Sequence, residues 1–218
     1  MKNKNLIIKQ TENYVRKELM GEGSGHDWWH IYRVWKMAQD IGKREKSDMF
    51  IVELAALLHD VADYKLHGGD ENIGPKMAEK WLKSLKVEQS VIDQIKEIIL
   101  GASFKGAKVK TQMKTIEGKI VQDADRLDAI GAVGIARTFA FGGYMQREIY
   151  NPNVKPQIHK TFQDYKNGKS HTINHFYEKL LLLKNLMNTK TAKQMAEKRH
   201  EYMEDFLKKF YKEWEGKE

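Results

Sequence analysis

The stretch Met49–Asp63, MFIVELAALLHDVAD, decides the fold of this chain. Its first ten residues are apolar on almost every side of a helical wheel, with Glu53 as the one charged interruption. A helix that is apolar all round is a buried helix, so this pattern predicts a helix in the core. The apolar run leads into His59 and Asp60, whose burial costs free energy unless both side chains find partners. A metal ion bound by both residues would provide those partners.

The rest of the chain predicts an all-α protein. Only three prolines interrupt a sequence rich in Ala, Leu, Lys, Glu and Met, and apolar residues recur with helical spacing. Asp27 and either Ser47 or Asp48 are predicted N-caps, and Gly142-Gly143 is predicted to stop a helix. Residues 150–168, which include two prolines, are predicted to be irregular. The predicted helices span about 6–20, 27–43, 49–60, 74–85, 88–100, 115–130, 132–141, 172–187 and 191–214.

Length and composition set the outer limits. The 218 residues suit one large domain better than two small ones. No apolar run approaches the roughly 18 residues of a membrane span, and the first residues lack the apolar segment of a secretory signal. We therefore expect a cytoplasmic protein without a membrane partner. The chain has no cysteine, which excludes disulfides, thiolate metal sites and cysteine nucleophiles.

The net charge of +8 indicates an anionic partner, either the phosphates of a small molecule or the backbone of a nucleic acid. Lysine-rich helices that keep a protein in solution are the simpler alternative. The charge is not spread evenly, because residues 101–122 hold five lysines against one glutamate.

Further metal ligands are expected on two other helices. His30 is the best candidate among the eight histidines, because it lies about one turn into an amphipathic helix and its ring can point inward. Asp123, Asp125 and Asp128 supply carboxylates on a later helix, and the last two share a helix face. Two imidazoles and two carboxylates form a mixed set that suits Mn²⁺, Fe²⁺, Ni²⁺ or Co²⁺ better than a structural Zn²⁺.

Three separated segments resemble the HD-domain superfamily of metal-dependent phosphohydrolases. They are the H-x-x-R-V pattern of His30–Val34, the dyad His59-Asp60, and Asp125 within Ala-Asp-Arg-Leu. The stretches HDVADYK, SFKG, QDADRLDAIGA and REIYNP resemble more narrowly the bacterial YpgQ/YedJ-type HD hydrolases. The resemblance covers about residues 25–130, and the narrower one extends to about Pro152. We expect one HD-type domain over residues 1–218, with a metal-site core at about 25–130 and C-terminal helices at about 170–215 packed on it.

The same resemblance implies the site and its chemistry. A divalent metal would be held by His30, His59, Asp60 and Asp125, and phosphate esters or anhydrides would be hydrolysed. The narrower branch implies nucleoside triphosphate pyrophosphohydrolase activity, often with Mn²⁺; Mg²⁺, Co²⁺, Ni²⁺ and Fe²⁺ are the alternatives. The ligand Asp60 is also expected to be essential for catalysis. Asp63, on about the same face, would orient or deprotonate a water as general base, unless it only forms the helix-terminal turn.

Phosphate chemistry also needs groups that neutralise developing charge. Asp128 would orient a ligand or contact a substrate sugar, with a salt bridge to a lysine as the alternative. His26 and Arg33 would support the ligands without binding the ion. A solvated surface position is the alternative for each cation. The remaining candidates for contact with the substrate or its phosphates are Lys65, His67, Lys105, Arg126 and Arg147.

Three other functions compete with the pyrophosphohydrolase. A 5′-nucleotidase would release phosphate from a monophosphate, and a phosphodiesterase would open a cyclic or signalling nucleotide. A metal-stabilised scaffold would bind nucleotides or RNA without turnover. We expect a small-molecule nucleotide rather than a nucleic acid as the partner, and a homo-oligomer is compatible with the sequence.

Overall fold

The architecture comes from a computed structural model that describes residues 3–21, 27–62, 72–102, 111–157 and 170–217. Within these ranges the chain forms nine α-helices, one 3₁₀ helix and no β-strand, which confirms the predicted all-α class. The helices are α1 Lys4–Leu19, α2 Trp28–Arg44, α3 Met49–Leu58, α4 Ile73–Ser84, α5 Gln89–Ala102, α6 Ile116–Asp128, α7 Gly131–Tyr144, α8 Asn174–Glu178, the 3₁₀ helix Leu180–Leu186, and α9 Lys190–Trp214.

The described residues fall into two compact units. The first contains α1 to α5 and α6 as far as Asp125, and the second continues from Arg126 to the end of the described chain. The single domain that we expected over residues 1–218 stays a prediction. No helix in the described ranges combines the length and apolar character needed to cross a membrane.

Helix α3 is the buried helix that the opening stretch predicted. Eight of its ten residues are buried, and the Asp48 carboxylate caps it by accepting the N–H of Phe50 at 2.9 Å. The charged interruption is satisfied by α2: one carboxylate oxygen of Glu53 accepts from the Trp35 indole at 2.9 Å and from the Gln39 amide at 2.7 Å. A partly buried acceptor with two donors costs far less than an unpaired one. The apolar helix therefore tolerates its one charge.

Helix α2 packs against α3 in the first unit. Its N-cap is Asp27, whose side chain accepts the N–H of His30 at 2.9 Å, as the sequence predicted. Ile31, Val34 and Ala38 are fully buried at helical spacing. This apolar face fixes the rotation of the helix, and His30 lies on the same buried side.

Helix α7 does not stop at the glycine pair, and that prediction was wrong. The helix continues through Gly142 and Gly143 to Tyr144. A β-carbon at position 142 would lie 2.4 Å from the Oγ1 of Thr172, whereas one at position 143 would meet nothing within 4 Å. Gly142 is thus required for close packing inside the helix rather than for ending it.

The predicted long helix over about 172–187 was also wrong. The chain forms the five-residue α8 and the 3₁₀ helix instead, interrupted at Lys179, which has φ −140° and ψ −61°. Polar side chains of this region bond outside the helix: the Asn174 amide donates to the Val154 carbonyl, and Glu178 accepts the N–H of Gln157. Such tertiary bonds override a helical pattern that local sequence would favour.

Candidate metal centre

His30 is held by the first turn of α2. Its main-chain N–H bonds to the N-cap Asp27, and its side chain is 1 % exposed. The Nε2 atom lies 3.3 Å from the Nε2 of His59, and the two rings stand at 68° to each other. The two buried imidazoles therefore direct their Nε2 atoms toward each other.

His59 follows directly after the last residue of α3. Its Nδ1 lies 2.8 Å from the carbonyl oxygen of Ala56, which can only accept a hydrogen bond. In the neutral ring this contact assigns the one proton to Nδ1 and leaves the lone pair of Nε2 for a ligand. The end of the buried helix thus holds the ring as metal-binding histidines are usually held, with the nitrogen that does not bind the metal donating to a carbonyl oxygen.

Two carboxylates complete the group. Asp60 places Oδ2 at 3.8 Å from the Nε2 of His30. Asp125, on α6, places Oδ1 at 3.5 Å from the same nitrogen and at 3.7 Å from the Nε2 of His59. We call His30, His59, Asp60 and Asp125 the His/Asp cluster.

The His/Asp cluster is buried on one side and open on the other. The two imidazoles are 1 % and 2 % exposed, whereas the carboxylates of Asp60 and Asp125 are 17 % and 26 % exposed. All four residues belong to the first unit. A ligand that approaches from solvent would therefore meet the carboxylate side first.

The geometry fits a divalent ion. Donor atoms about 2.1 Å from a common ion lie roughly 3.0–3.5 Å from one another. Four donor pairs of the cluster lie 3.3–3.8 Å apart, namely His30–His59, His30–Asp60, His30–Asp125 and His59–Asp125. Donor atoms of His30, His59 and Asp60 all lie within 4.8 Å of one another. Two neutral imidazoles and two carboxylates form a mixed donor set for a transition-metal dication, with positions left for water or substrate.

The charges of the His/Asp cluster also favour a bound cation. Burial lowers the pKa of His59, but the hydrogen bond to Asp125 and the charges of Asp60 and Asp125 outweigh burial and raise the pKa to about 9. In the metal-free protein a proton on His59 therefore offsets the negative charge of the carboxylates. A metal cation would take over the same task.

Two of the predicted substrate contacts have internal partners. The buried Arg126 guanidinium donates to the carbonyl oxygen of Leu186, and the buried Asp128 carboxylate lies 2.8 Å from the guanidinium of Arg137. These contacts lie within the second unit. The partner of Asp128 is thus an arginine and not a lysine. Phosphate binding by Arg126 stays a prediction, and the hydrogen bond to Leu186 does not support it.

Of the other predicted residues, the structure describes Arg147 and Arg33. Arg147 is half-buried and its guanidinium carbon lies 5.8 Å from the centre of the Phe141 ring. Arg33 is half-buried on α2. The predicted base Asp63, the predicted substrate contacts Lys65, His67 and Lys105, and the predicted supporting residue His26 lie outside the described residues.

Sequence reasoning missed Arg137. A signal for it exists, because Arg137 is the only charged residue in the fourteen-residue helix α7. A lone charge in an otherwise apolar helix indicates an internal partner, and here that partner is Asp128.

Within the described residues the protein is all-helical, and it brings two histidines and two aspartates together beside the end of a buried helix. The HD domain family matches residues 28–130, a range that includes the whole His/Asp cluster. The chain belongs to the HD-domain family. It is an enzyme of the metal-dependent phosphohydrolase class, which confirms that expectation from the sequence.

Relatives agree over nearly the whole chain. YpgQ of Bacillus subtilis is 40 % identical over 211 residues, which cover 95 % of this chain and 94 % of that protein. The crystal structure of an HD-superfamily hydrolase from Bacillus thuringiensis is 46 % identical, with a TM-score of 0.75 over 98 % of this chain and 99 % of the other. The crystal structure of YpgQ in complex with ADP is 38 % identical, with a TM-score of 0.74 over 94 % and 97 %.

Proposed function

We propose that this chain is a nucleoside triphosphate pyrophosphohydrolase that uses a divalent metal ion bound by the His/Asp cluster. The observation that carries the proposal is the convergence of two histidine nitrogens and two carboxylates from three helical segments, each 3.3–3.8 Å from at least one other member of the cluster. We propose Mn²⁺ as the ion because the resemblance to the YpgQ/YedJ-type hydrolases implies it, with Mg²⁺, Co²⁺, Ni²⁺ and Fe²⁺ as alternatives. A cytoplasmic location is part of the proposal and rests on the sequence alone.

The histidines and the carboxylates of the cluster have different roles. The Ala56 carbonyl holds the ring of His59, and the buried first turn of α2 holds His30, so both nitrogens are oriented before an ion arrives. The partly exposed carboxylates of Asp60 and Asp125 face the side from which a charged substrate would enter. A bound divalent ion supplies Lewis acidity toward a phosphoryl oxygen and lowers the pKa of a water.

A nucleotide is the substrate class that we propose. The relative YpgQ was crystallised with ADP, and its similarity to this chain extends over both units. The net charge of +8 suits an anionic substrate. In the proposed reaction one water hydrolyses the anhydride bond between the α- and β-phosphates, which yields a nucleoside monophosphate and pyrophosphate.

Several roles in this reaction rest on the sequence alone. We propose Asp63 as the general base that orients or deprotonates the attacking water. Lys65, His67 and Lys105 are proposed to contact the phosphates, where cations would stabilise the leaving pyrophosphate. Arg147 is a further candidate for the same task.

The test measures turnover of a substrate panel by metal-stripped protein refilled with Mn²⁺. The panel contains nucleoside triphosphates, monophosphates, cyclic nucleotides and dinucleoside tetraphosphates, and every product is identified. We expect monophosphate plus pyrophosphate from triphosphates, and loss of turnover in His59→Ala. His200→Ala is the matched control, because it removes a mostly buried histidine from the second unit.

Other products would change the assignment. Phosphate released from monophosphates would indicate a 5′-nucleotidase, and a linear product from a cyclic nucleotide would indicate a phosphodiesterase. Nucleotide or RNA binding without turnover under several divalent metals would favour the scaffold. Turnover that persists in His59→Ala would refute the role of the cluster.

A further inference from the structure

The residues that end α6 follow directly after Asp125, a proposed metal ligand. Helix α6 is continuous over Ile116–Asp128 and carries Asp125 three residues before its end. The chain then turns sharply, with the N–H of Ala129 bonded to the Arg126 carbonyl and the N–H of Ile130 bonded to the Leu127 carbonyl, both at 3.2 Å. Helix α7 begins one residue later, so the backbone after Asp125 has little freedom.

An ion pair joins the end of α6 to α7. Asp128 Oδ2 lies 2.8 Å from the Nη1 of Arg137, and the two side chains are 2 % and 19 % exposed. A buried ion pair contributes little net stability, because desolvation offsets much of the attraction. Such a pair is better explained by what it holds in place, which here is the last turn of α6.

A second arginine acts on the same turn from α9. Arg199 donates a hydrogen bond from Nη1 to the Leu127 carbonyl, one of the acceptors that a helix end leaves without a partner in the helix. Its aliphatic stem lies against Gly131, where a β-carbon would be only 3.0 Å from the Cγ of Arg199. Gly131 also has φ +78°, which favours glycine. The corner is therefore built to accept this arginine.

We infer that Asp128 and Arg137, together with Arg199, are positioning residues that set the place of Asp125 in the metal site. The inference rests on the proposed function. A metal ligand must be held within about 0.5 Å of its working geometry, and Asp125 can meet that demand only if the helix turn that carries it is fixed. Residues that support ligands in this way commonly change metal affinity when they are replaced.

The experiment measures the Kd of Mn²⁺ by titration calorimetry for the wild type, Asp125→Asn, Asp128→Asn and the double variant. We expect Asp128→Asn to weaken Mn²⁺ binding by about 10- to 100-fold. We also expect the two substitutions to be non-additive: in the Asp125→Asn background, Asp128→Asn should change the Kd by less than about twofold, because its effect passes through Asp125.

The controls separate positioning from general stability. Glu197→Gln removes the Lys184–Glu197 ion pair, which lies in the same unit and joins other elements, and should leave the Kd unchanged. Arg137→Lys should recover part of the affinity that Arg137→Gln loses, because lysine keeps the charge facing Asp128. If Asp128→Asn does not fold, Arg137→Gln decides by the same criterion.

The outcomes distinguish the two proposals. If Asp125→Asn weakens binding while Asp128→Asn and Arg137→Gln bind Mn²⁺ like the wild type, the positioning inference is overturned and the proposed function stands. Full additivity in the double variant also overturns the positioning inference alone. If the wild type does not bind Mn²⁺, or Asp125→Asn binds it unchanged, the metal site itself is wrong and both proposals fall.

Discussion

The Nδ1 atom of His59 lies 2.8 Å from the carbonyl oxygen of Ala56, the residue three positions earlier in the chain. The end of α3 therefore leaves one carbonyl to accept a hydrogen bond from the side chain that follows the helix. In the neutral ring, which is the form that a metal binds, that contact places the one proton on Nδ1, and the Nε2 of His59 faces His30 and Asp125 with its lone pair. The chemistry of the cluster thus depends on where a buried helix ends.

Metal binding is expected to release a proton. The pKa of His59 in the metal-free protein is about 9, above its ordinary value of 6.5, whereas a metal binds only the neutral imidazole. Mn²⁺ affinity should therefore rise with pH, by up to about tenfold per unit, until the pH reaches about 9. Calorimetry at pH 7.5 in buffers of different ionisation enthalpy should count about one proton released. A count near zero would contradict the prediction, and His59→Gln should abolish the release.

The same group predicts how the metal-free protein responds to pH. A pKa that folding raises contributes stability that is fully present below the unfolded value of 6.5 and is lost as the pH rises through about 9. The free energy of unfolding should therefore fall between these pH values. Urea denaturation at several pH values checks this, and the pH dependence over that window should be weaker in His59→Gln. Saturation with Mn²⁺ should reduce the fall, because the bound ion replaces the proton.

Glu53→Ala should destabilise the first unit. The substitution removes the acceptor shared by the Trp35 indole and the Gln39 amide, so both donors lose their partner, at a cost of about 1–3 kcal/mol. Glu53→Gln keeps an acceptor oxygen and should cost less. The free energy of unfolding from urea titrations measures both. Equal losses for the two variants would show that the acceptor is not what matters.

Gly142→Ala and Gly143→Ala should change stability in opposite directions. A β-carbon at position 142 would lie 2.4 Å from the Thr172 Oγ1, and overpacking of this kind costs about 1–3 kcal/mol. At position 143 a β-carbon meets nothing within 4 Å, and alanine should stabilise the helix by up to about 1 kcal/mol. Thermal unfolding of the two variants compares them directly. Similar shifts in both would contradict the packing explanation.

Leu54→Ala should be among the more damaging substitutions in α3. The side chain is fully buried in a helix with core residues on nearly every side, and truncating such a leucine costs about 2–5 kcal/mol. Leu6→Ala on α1 is the matched control, because that side chain is 50 % exposed and should cost well under 1 kcal/mol. Denaturant midpoints measured in parallel test the difference.

The sequence predicted the helix and caps that position the cluster. The unbroken apolar run of α3 has no stable location except the core, and the caps Asp27 and Asp48 act through bonds to residues two or three positions away. Local geometry and burial are properties that sequence periodicity encodes directly. The same reasoning pointed to His30, His59 and Asp60 and left Asp123, Asp125 and Asp128 open, and the resemblance to the HD-domain superfamily implied Asp125. The structure brings each of His30, His59, Asp60 and Asp125 within 3.3–3.8 Å of at least one other member.

Tertiary structure decided what local signals could not. Gly142 lies inside a helix because Thr172 needs its space, and the pattern over 172–187 breaks near Lys179 where Asn174 and Glu178 bond to distant backbone. Arg126 and Asp128 look like substrate contacts in the sequence, but they meet a carbonyl and an arginine far along the chain. The sequence determined that the segments carrying the cluster are helical and which residues can bind a metal. Only tertiary structure decided the partners of the charged side chains, because those partners lie 9 to 60 residues apart and no local pattern encodes such pairs.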